Sequence, residues 1–351
     1  MEDMSSILLL SLADVKQTPY YKKYTKSMNL KPDIILIGSI TNEKEEFGNI
    51  WSVQKKGNRI TQIINFRKTL KKILDENKYK LIIILHSQIS VICNDILLKN
   101  NISIILDIRD YIFEDNKVYS YFQNKIIKKS EMVVISSPGF KNFLPKGKYY
   151  ICHNTFENYK EYTKIKHNKK DENIIIGQIG YIRFIDINKK LINSFENDRR
   201  FILKFIGKGS LDLKKKNVSN LYLKDEFNAE DTLKFYKDLD FVNNYYGYGK
   251  KNLKYALSNK LYIAALLNIP IIVSPNTYME KYVNKYNLGL SIDIEADINL
   301  QKDKIYEYYK NLDFEDLKYS CQKMLKDVEI QNHEFKVNIE RIITKYENST
   351  Y

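Results

Sequence analysis

The chain has 351 residues, 44% of them apolar, which is enough for two cores of ordinary domain size and too long for one typical domain. No apolar run approaches the length needed to cross a bilayer. The acidic start Met1-Glu-Asp-Met and the short run Ile7 to Leu10 do not read as a secretory signal, so a cytosolic protein is expected. A formal charge of +14 invites a nucleic-acid reading. Yet the lysines are spread in pairs, Lys214-Lys-Lys216 being the longest run, alongside abundant asparagine, isoleucine and tyrosine, as an AT-rich genome writes into any protein. A solvated surface is the first reading, and attraction to an anionic membrane face carrying a lipid-linked acceptor the second. A nucleic-acid partner rests on charge alone and is not expected. Cys93, Cys152 and Cys321 are widely spaced without CxxC geometry, and the four histidines are scattered, so neither a disulfide framework nor a metal site is expected.

Short, continuously apolar stretches at Ile7–Leu12, Asp33–Ile40, Lys80–His86, Ile102–Asp107, Met132–Ile135 and Tyr149–Cys152 read as buried strands. Amphipathic stretches such as Ile63–Leu74 and Tyr119–Lys129 lie between them. Continuous apolar strands alternating with helices indicate an α/β doubly wound parallel sheet. A polar, Lys-rich interval follows His153-Asn-Thr-Phe156 and reads as a linker over 157–172. The pattern restarts at Ile174–Ile179, Phe201–Ile206, Leu221–Leu223, Asp240–Asn243, Ile271–Val273 and Leu288–Ile292. A helix is expected from about Ala229 to Leu239, capped by Asn228 with Asp231 in a capping-box-like place. The tail from Phe314 to Tyr346 is helical in composition. This gives an N-terminal Rossmann-like domain over 1–156, a C-terminal one over 173–330, and a terminal helix over 331–351 packing back on the first. A cleft is expected between the carboxyl ends of the two sets of strands.

The segment Ser258-Asn-Lys-Leu-Tyr-Ile-Ala-Ala-Leu-Leu-Asn-Ile-Pro-Ile-Ile-Val-Ser274 is the most informative. A helix that opens on Ser258, Asn259 and Lys260 brings free backbone N–H groups, a positive dipole end and an ammonium to one point, a combination suited to a phosphate. Gly177-Gln-Ile-Gly-Tyr-Ile-Arg183 follows on a strand, where Gly180 lets backbone approach a ligand and Arg183 can clamp phosphate oxygens. Phe205-Ile-Gly-Lys-Gly209 repeats the arrangement at the next strand end, through Gly207. An ordinary αβ unit with tight turns and surface cations is the plainer alternative for each.

In order and spacing, Ile179-Gly-Tyr-Ile-Arg183, Phe205-Ile-Gly-Lys-Gly209, Leu221-Tyr-Leu-Lys-Asp-Glu-Phe227, Phe235-Tyr-Lys-Asp-Leu-Asp240 and Asn259–Val273 resemble the nucleotide-binding domain of GT-B glycosyltransferases. The likeness is to the large retaining, family-four-like group that builds bacterial surface polysaccharides or decorates surface glycoproteins. The resemblance implies two Rossmann-like domains, with the donor on the second. It implies that Arg183 and Lys260 neutralise the diphosphate of a nucleotide sugar, with backbone at Gly180, Tyr181, Gly207, Ser258 and Asn259 around it. Tyr222, Leu223 and Lys224 would lie by base and ribose, and Thr277 and Glu280 near sugar or phosphate. Two departures stand in the helix: Ile263 where the family pattern has a glutamate, and Asn268 where it has a glycine.

In the first half, Leu106-Asp-Ile-Arg-Asp110 carries Arg109 where the family often has a histidine. By the resemblance Arg109 assists the phosphate or sugar hydroxyls and Asp110 orients a substrate, a buried ion pair at a strand end being the alternative. His86, at another strand end, and Asp14, Gln17 and Thr18, in the loop after the first strand, would face the acceptor. The expected activity is a metal-independent transfer of a hexose, from UDP before other nucleotides, to a glycan, lipid-linked or glycoprotein acceptor, with no cofactor. A homo-oligomer is compatible with it. Because of Ile263 and Arg109, a non-catalytic GT-B-like partner of an active transferase is the alternative.

Overall fold

The computed structural model describes residues 5–26, 28–29, 31–40, 43–155, 173–228, 231–247, 249 and 251–347. The expected linker over 157–172 and Ala229, where a helix was expected to begin, lie outside them. The chain divides into two compact units, Met1–His153 with Ile330–Tyr351, and Asn154–Glu329.

The first unit holds β1 (Ile7–Ser11), β2 (Asp33–Ile37), β3 (Ile50–Val53), β4 (Leu81–Ile84), β5 (Ser103–Ile108), β6 (Met132–Ile135) and β7 (Tyr150–Ile151). They form one sheet in the order β3-β2-β1-β4-β5-β6-β7. The second unit holds β8 (Ile174–Ile179), β9 (Phe201–Ile206), β10 (Leu221–Lys224), β11 (Phe241–Asn244), β12 (Ile271–Val273) and β13 (Gly289–Ser291), in the order β10-β9-β8-β11-β12-β13. Every ladder is parallel. Central strands such as β1, β2 and β4 are buried at every position, because helices cover both faces. The sequence reading missed β3. As an edge strand with Trp51 half-buried and Ser52 exposed, Ile-Trp-Ser-Val carries no continuous apolar run.

Two features shape the second unit's helices. The helix Thr232–Tyr236 is shorter than expected, and Asp231 does not cap it; its carboxylate accepts from Lys234 Nζ at 2.5 Å instead. The helix Asn259–Leu267 is buried from Leu261 to Leu267 and ends at Asn268, which sits in the left-handed region at φ 54°, ψ 39°. Asparagine is the side chain that best tolerates the conformation glycine usually supplies at a helix end. Asn268 thus takes the conformation that a glycine would supply in the pattern the segment resembles.

The last helix, Phe314–Glu347, serves both cores. Leu317, Cys321, Met324 and Val328, spaced 4-3-4, join the second unit's core. Phe335, Ile339, Ile342 and Ile343 join the first unit's. The three cysteines are buried and free. No helix among the described residues is long and apolar enough to cross a membrane.

Replacing Asn268 by alanine forces a β-carbon residue without asparagine's local compensation into the left-handed region. We expect Asn268→Ala to cost about 1 kcal/mol in urea unfolding, and Asn268→Gly to cost a few tenths at most. Equal destabilisation by both would refute the conformational account.

Candidate functional site

In the second unit the candidates gather where β8 and β11 diverge in connection, the point at which strand order reverses and open α/β sheets bind ligands. β8 runs into Gly180 at φ 102° and β9 into Gly207 at φ 127°. The loops they open are laced backbone to backbone. Gly180 N–H donates to Ile206 O at 2.9 Å, Gly207 N–H to Lys224 O at 2.8 Å, and Ile182 N–H to Lys208 O at 2.9 Å. A β-carbon at 207 would stand 2.1 Å from Gly180 O, so only glycine permits the lacing. A β-carbon at 180 would meet nothing within 4 Å, so the backbone there faces open space.

Tyr181 and Arg183 are exposed, the guanidinium 5.4 Å from the Tyr181 ring centre. Phe184 then adopts φ 57°, ψ 53° at the head of the helix Ile185–Phe195, a strained choice for an aromatic residue. Its ring packs on Tyr246, centroids 5.3 Å apart. Tyr246 in turn accepts from Lys260 Nζ at 3.0 Å. Lys260 stands in the first turn of Asn259–Leu267, which is capped by Ser258; Ser258 Oγ accepts the Lys260 N–H at 3.3 Å, and Asn259 is exposed. The pair Phe184–Tyr246 thus links the Arg183 loop to Lys260. No carboxylate among the described residues comes within ion-pair range of either cation, whereas Arg67 is matched by Asp95, Arg109 by Asp107, and Arg200 by Asp198 and Asp303. Cations without a carboxylate partner, a helix N-terminus and bare backbone at Gly180 are each features that suit an anion.

Other expected donor residues have local duties. Thr277 caps the helix Tyr278–Tyr286, accepting from Glu280 N–H at 3.1 Å and donating to Ser274 O at 2.9 Å. Glu280 accepts from Asn276 N–H at 2.7 Å and from Ser291 Oγ at 2.6 Å. Both are committed to holding that helix start. On β10, Tyr222 and Lys224 are exposed and Leu223 half-buried; Lys224 Nζ lies 4.8 Å from the Phe235 ring centre. Ile263, in the place of the family's acid, is 6% exposed and part of the core.

In the first unit several of the expected site residues have partners within the protein. Arg109, expected to meet phosphate or sugar, is a buried ion pair. Its Nε is 2.7 Å from Asp107 Oδ1 and its Nη2 donates to Oδ2 at 2.8 Å, with side chains 7% and 0% exposed. Nη1 donates to Cys152 O at 2.9 Å, Tyr24 donates to Asp107 Oδ2 at 2.5 Å, and the Tyr20 ring covers the guanidinium at 4.7 Å. Asp14, expected to face an acceptor, ties three loops together: Oδ1 accepts from Ser39 N–H at 2.7 Å and Oδ2 pairs with Lys55. The Lys55 hydrogen bond, with that of Ser39, lowers its pKa. Thr18 is buried, its hydroxyl donating to Asp14 O at 3.2 Å and Val15 O at 3.3 Å. Gln17 and Asp110 are exposed. His86 stands where β1 and β4 part; its Nδ1 accepts the Leu12 N–H at 3.2 Å, so the neutral ring carries its proton on Nε2. Burial pushes its pKa down to about 4. The sequence reading overlooked Tyr246, although Tyr245-Tyr-Gly-Tyr-Gly249 directly after β11 has the strand-then-glycine signature used elsewhere. It also overlooked Tyr20 and Tyr24, whose roles depend on nonlocal packing.

No protein-family model matches the chain, and neither does any curated protein. Solved structures do resemble it. HepE of Anabaena in complex with UDP superposes with a TM-score of 0.69 at 11% identity, covering 95% of this chain and 99% of that one. A glycosyltransferase of Rickettsia africae gives 0.67 at 13% identity, covering 98% and 99%. Sucrose-phosphate synthase of Thermosynechococcus elongatus gives 0.66 at 10%, covering 98% and 100%. Together with the two all-parallel sheets, these likenesses establish the GT-B fold.

Burial also depresses His153, to about 4; it is fully enclosed, with Nε2 2.6 Å from Gln331 Oε1. A histidine whose folded pKa lies below its unfolded value binds its proton only on unfolding. Stability therefore falls as pH drops from about 6.5 to about 4, by about 1.4 kcal/mol per pH unit for each such histidine. Urea unfolding between pH 7 and 4.5 should show this slope, and His153→Gln should remove about half of it. A pH-independent midpoint across that window would disprove the assignment.

Proposed function

We propose that the chain is a glycosyltransferase that moves a hexose from a nucleotide sugar, a UDP-sugar first among them, to a glycan, lipid-linked or glycoprotein acceptor in bacterial surface glycan synthesis. The observation that carries this is the pair of unneutralised cations, Arg183 and Lys260, beside a helix N-terminus and the open backbone of Gly180. HepE, of the same fold, was crystallised with UDP, with UDP and glucose, and with UDP-glucose. Transfer leaves a nucleoside diphosphate with its negative charge still building as the glycosidic bond breaks. Fixed cations and aligned N–H groups stabilise that charge more in the transition state than in the bound donor. With side chains supplying the positive charge, the step is assigned as metal-independent. Tyr222, Leu223 and Lys224 are proposed for the base and ribose, and Ser258 and Asn259 for phosphate oxygens. His86, Gln17 and Asp110, at the strand ends of the first unit, are proposed for the acceptor. Work on a lipid-linked acceptor would place the protein in the cytosol at the inner membrane face, with its lysine excess attracted to anionic lipid.

A second reading, a non-catalytic partner of an active transferase, is favoured by two observations: Arg109 is sealed in an ion pair, and Ile263 belongs to the core. It keeps nucleotide binding and loses turnover.

A thermal-shift series with UDP, GDP and their sugars tests both. Saturating UDP or a UDP-sugar should raise the melting temperature, since ligand at about 100 Kd stabilises by about 2.7 kcal/mol. Lys260→Ala should weaken binding about tenfold or more. A rise unaffected by Lys260→Ala would displace the site. No rise with any nucleotide would refute the function. Binding without release of UDP from UDP-sugars would favour the partner reading.

A further inference from the structure

Three buried amides lie under the cationic site with no part in the mechanism above. Gln178 is the penultimate residue of β8 and is fully buried. Alternation along the strand puts it on the face of Ile174 and Ile176. That face is covered by Leu191, Ile192 and Phe195 of the helix Ile185–Phe195. Asn243, on the face of Phe241 and Tyr245 in the next strand, donates from Nδ2 to Gln178 Oε1 at 3.3 Å. Asn188 is one turn earlier on the same helix face as Leu191 and Ile192, and is also fully buried. Ile176, Leu191, Ile192, Phe241 and Tyr245 hold neighbouring places on these faces, so the amides mark a polar layer beneath the strand ends.

The layer reaches both loops of the site. Asn188 Nδ2 donates to Arg183 O at 2.7 Å. At the other end Asn243 Oδ1 accepts the Tyr245 N–H at 2.9 Å, next to the Tyr246 that meets Lys260. Among the described residues one donor and one acceptor in the layer have no hydrogen-bond partner, Gln178 Nε2 and Asn188 Oδ1. Orphaned amide groups at full burial are costly, and here the two are complementary.

We propose that Gln178, Asn188 and Asn243 act as one amide relay, closed from Gln178 Nε2 to Asn188 Oδ1 directly or through one water. The relay sets the spacing of the Arg183 loop from the Tyr246–Lys260 pair. These are positioning residues: they touch no ligand and hold the two cations at the separation a diphosphate requires. The loop they brace includes Phe184, whose left-handed backbone would relax without support. The inference rests on reading the site as one for a nucleoside diphosphate.

Calorimetric titration of UDP and of uridine, which lacks the diphosphate, tests it on the full chain. Gln178→Met and Asn188→Leu should each weaken UDP binding about tenfold and leave uridine binding within about twofold. The double variant should be little worse than the weaker single one, because both break the same relay. If Asn188→Leu does not fold, Asn188→Ser, too short to reach Gln178, should still narrow the preference for UDP over uridine. Parallel losses for UDP and uridine, or single effects that multiply in the double variant, would overturn the relay. If the wild-type chain binds no UDP, the site reading falls first and the relay with it.

Discussion

A parallel strand buried on both faces has one place for chemistry, its carboxyl end, and that constraint organises each unit. All ladders here are parallel, so each crossover returns the chain to the same edge, and most of the helices that follow a strand begin there. Free N–H groups, tight glycine turns and the side chains that cannot be buried therefore collect along one rim of each sheet. Where β8 and β11 part, the rim has Gly180, Arg183 and, a helix further on, Lys260. Where β1 and β4 part, it has Leu12 and His86.

What separates a binding group from a structural one at such a rim is charge compensation. Arg109 directly follows a strand, and Lys260 stands in the first turn of a helix. Arg109 is matched by Asp107, itself held by the Tyr24 hydroxyl, and by the Cys152 carbonyl, so its charge is compensated within the protein. Breaking such a pair to serve a ligand would strand Asp107 at zero exposure, a larger loss than a surface contact returns. Lys260 has only a phenol oxygen, a weak partner for an ammonium. An anion arriving there would meet that charge with no competing carboxylate to displace.

The strands were readable because their signal is local: Met132–Ile135, Ile174–Ile179, Phe201–Ile206 and Ile271–Val273 have the bounds expected from apolar runs alone. β3 was not, since an edge strand needs no continuous apolar run and Ser52 interrupts this one. The cations at 183 and 260 were legible from strand-then-glycine and helix-start patterns. Their freedom from carboxylates was not, because ion pairs such as Arg200 with Asp303 join residues far apart in sequence. Thr277 and Glu280 show a local duty that the sequence analysis did not draw from them: their spacing is that of a helix cap.

Ile263 brings these strands of reasoning together. It packs among Leu261, Tyr262, Ala264 and Ala265 in the core, on a helix buried almost all round. A glutamate there would need either a partner cation or a route to solvent, and the described surroundings are apolar. An ionised carboxylate without either is among the costliest groups a fold can enclose. With isoleucine at 263, no negative charge stands at this place one turn after Lys260. The potential around Lys260 is the more positive for it, which favours an anion over a neutral group at that helix start.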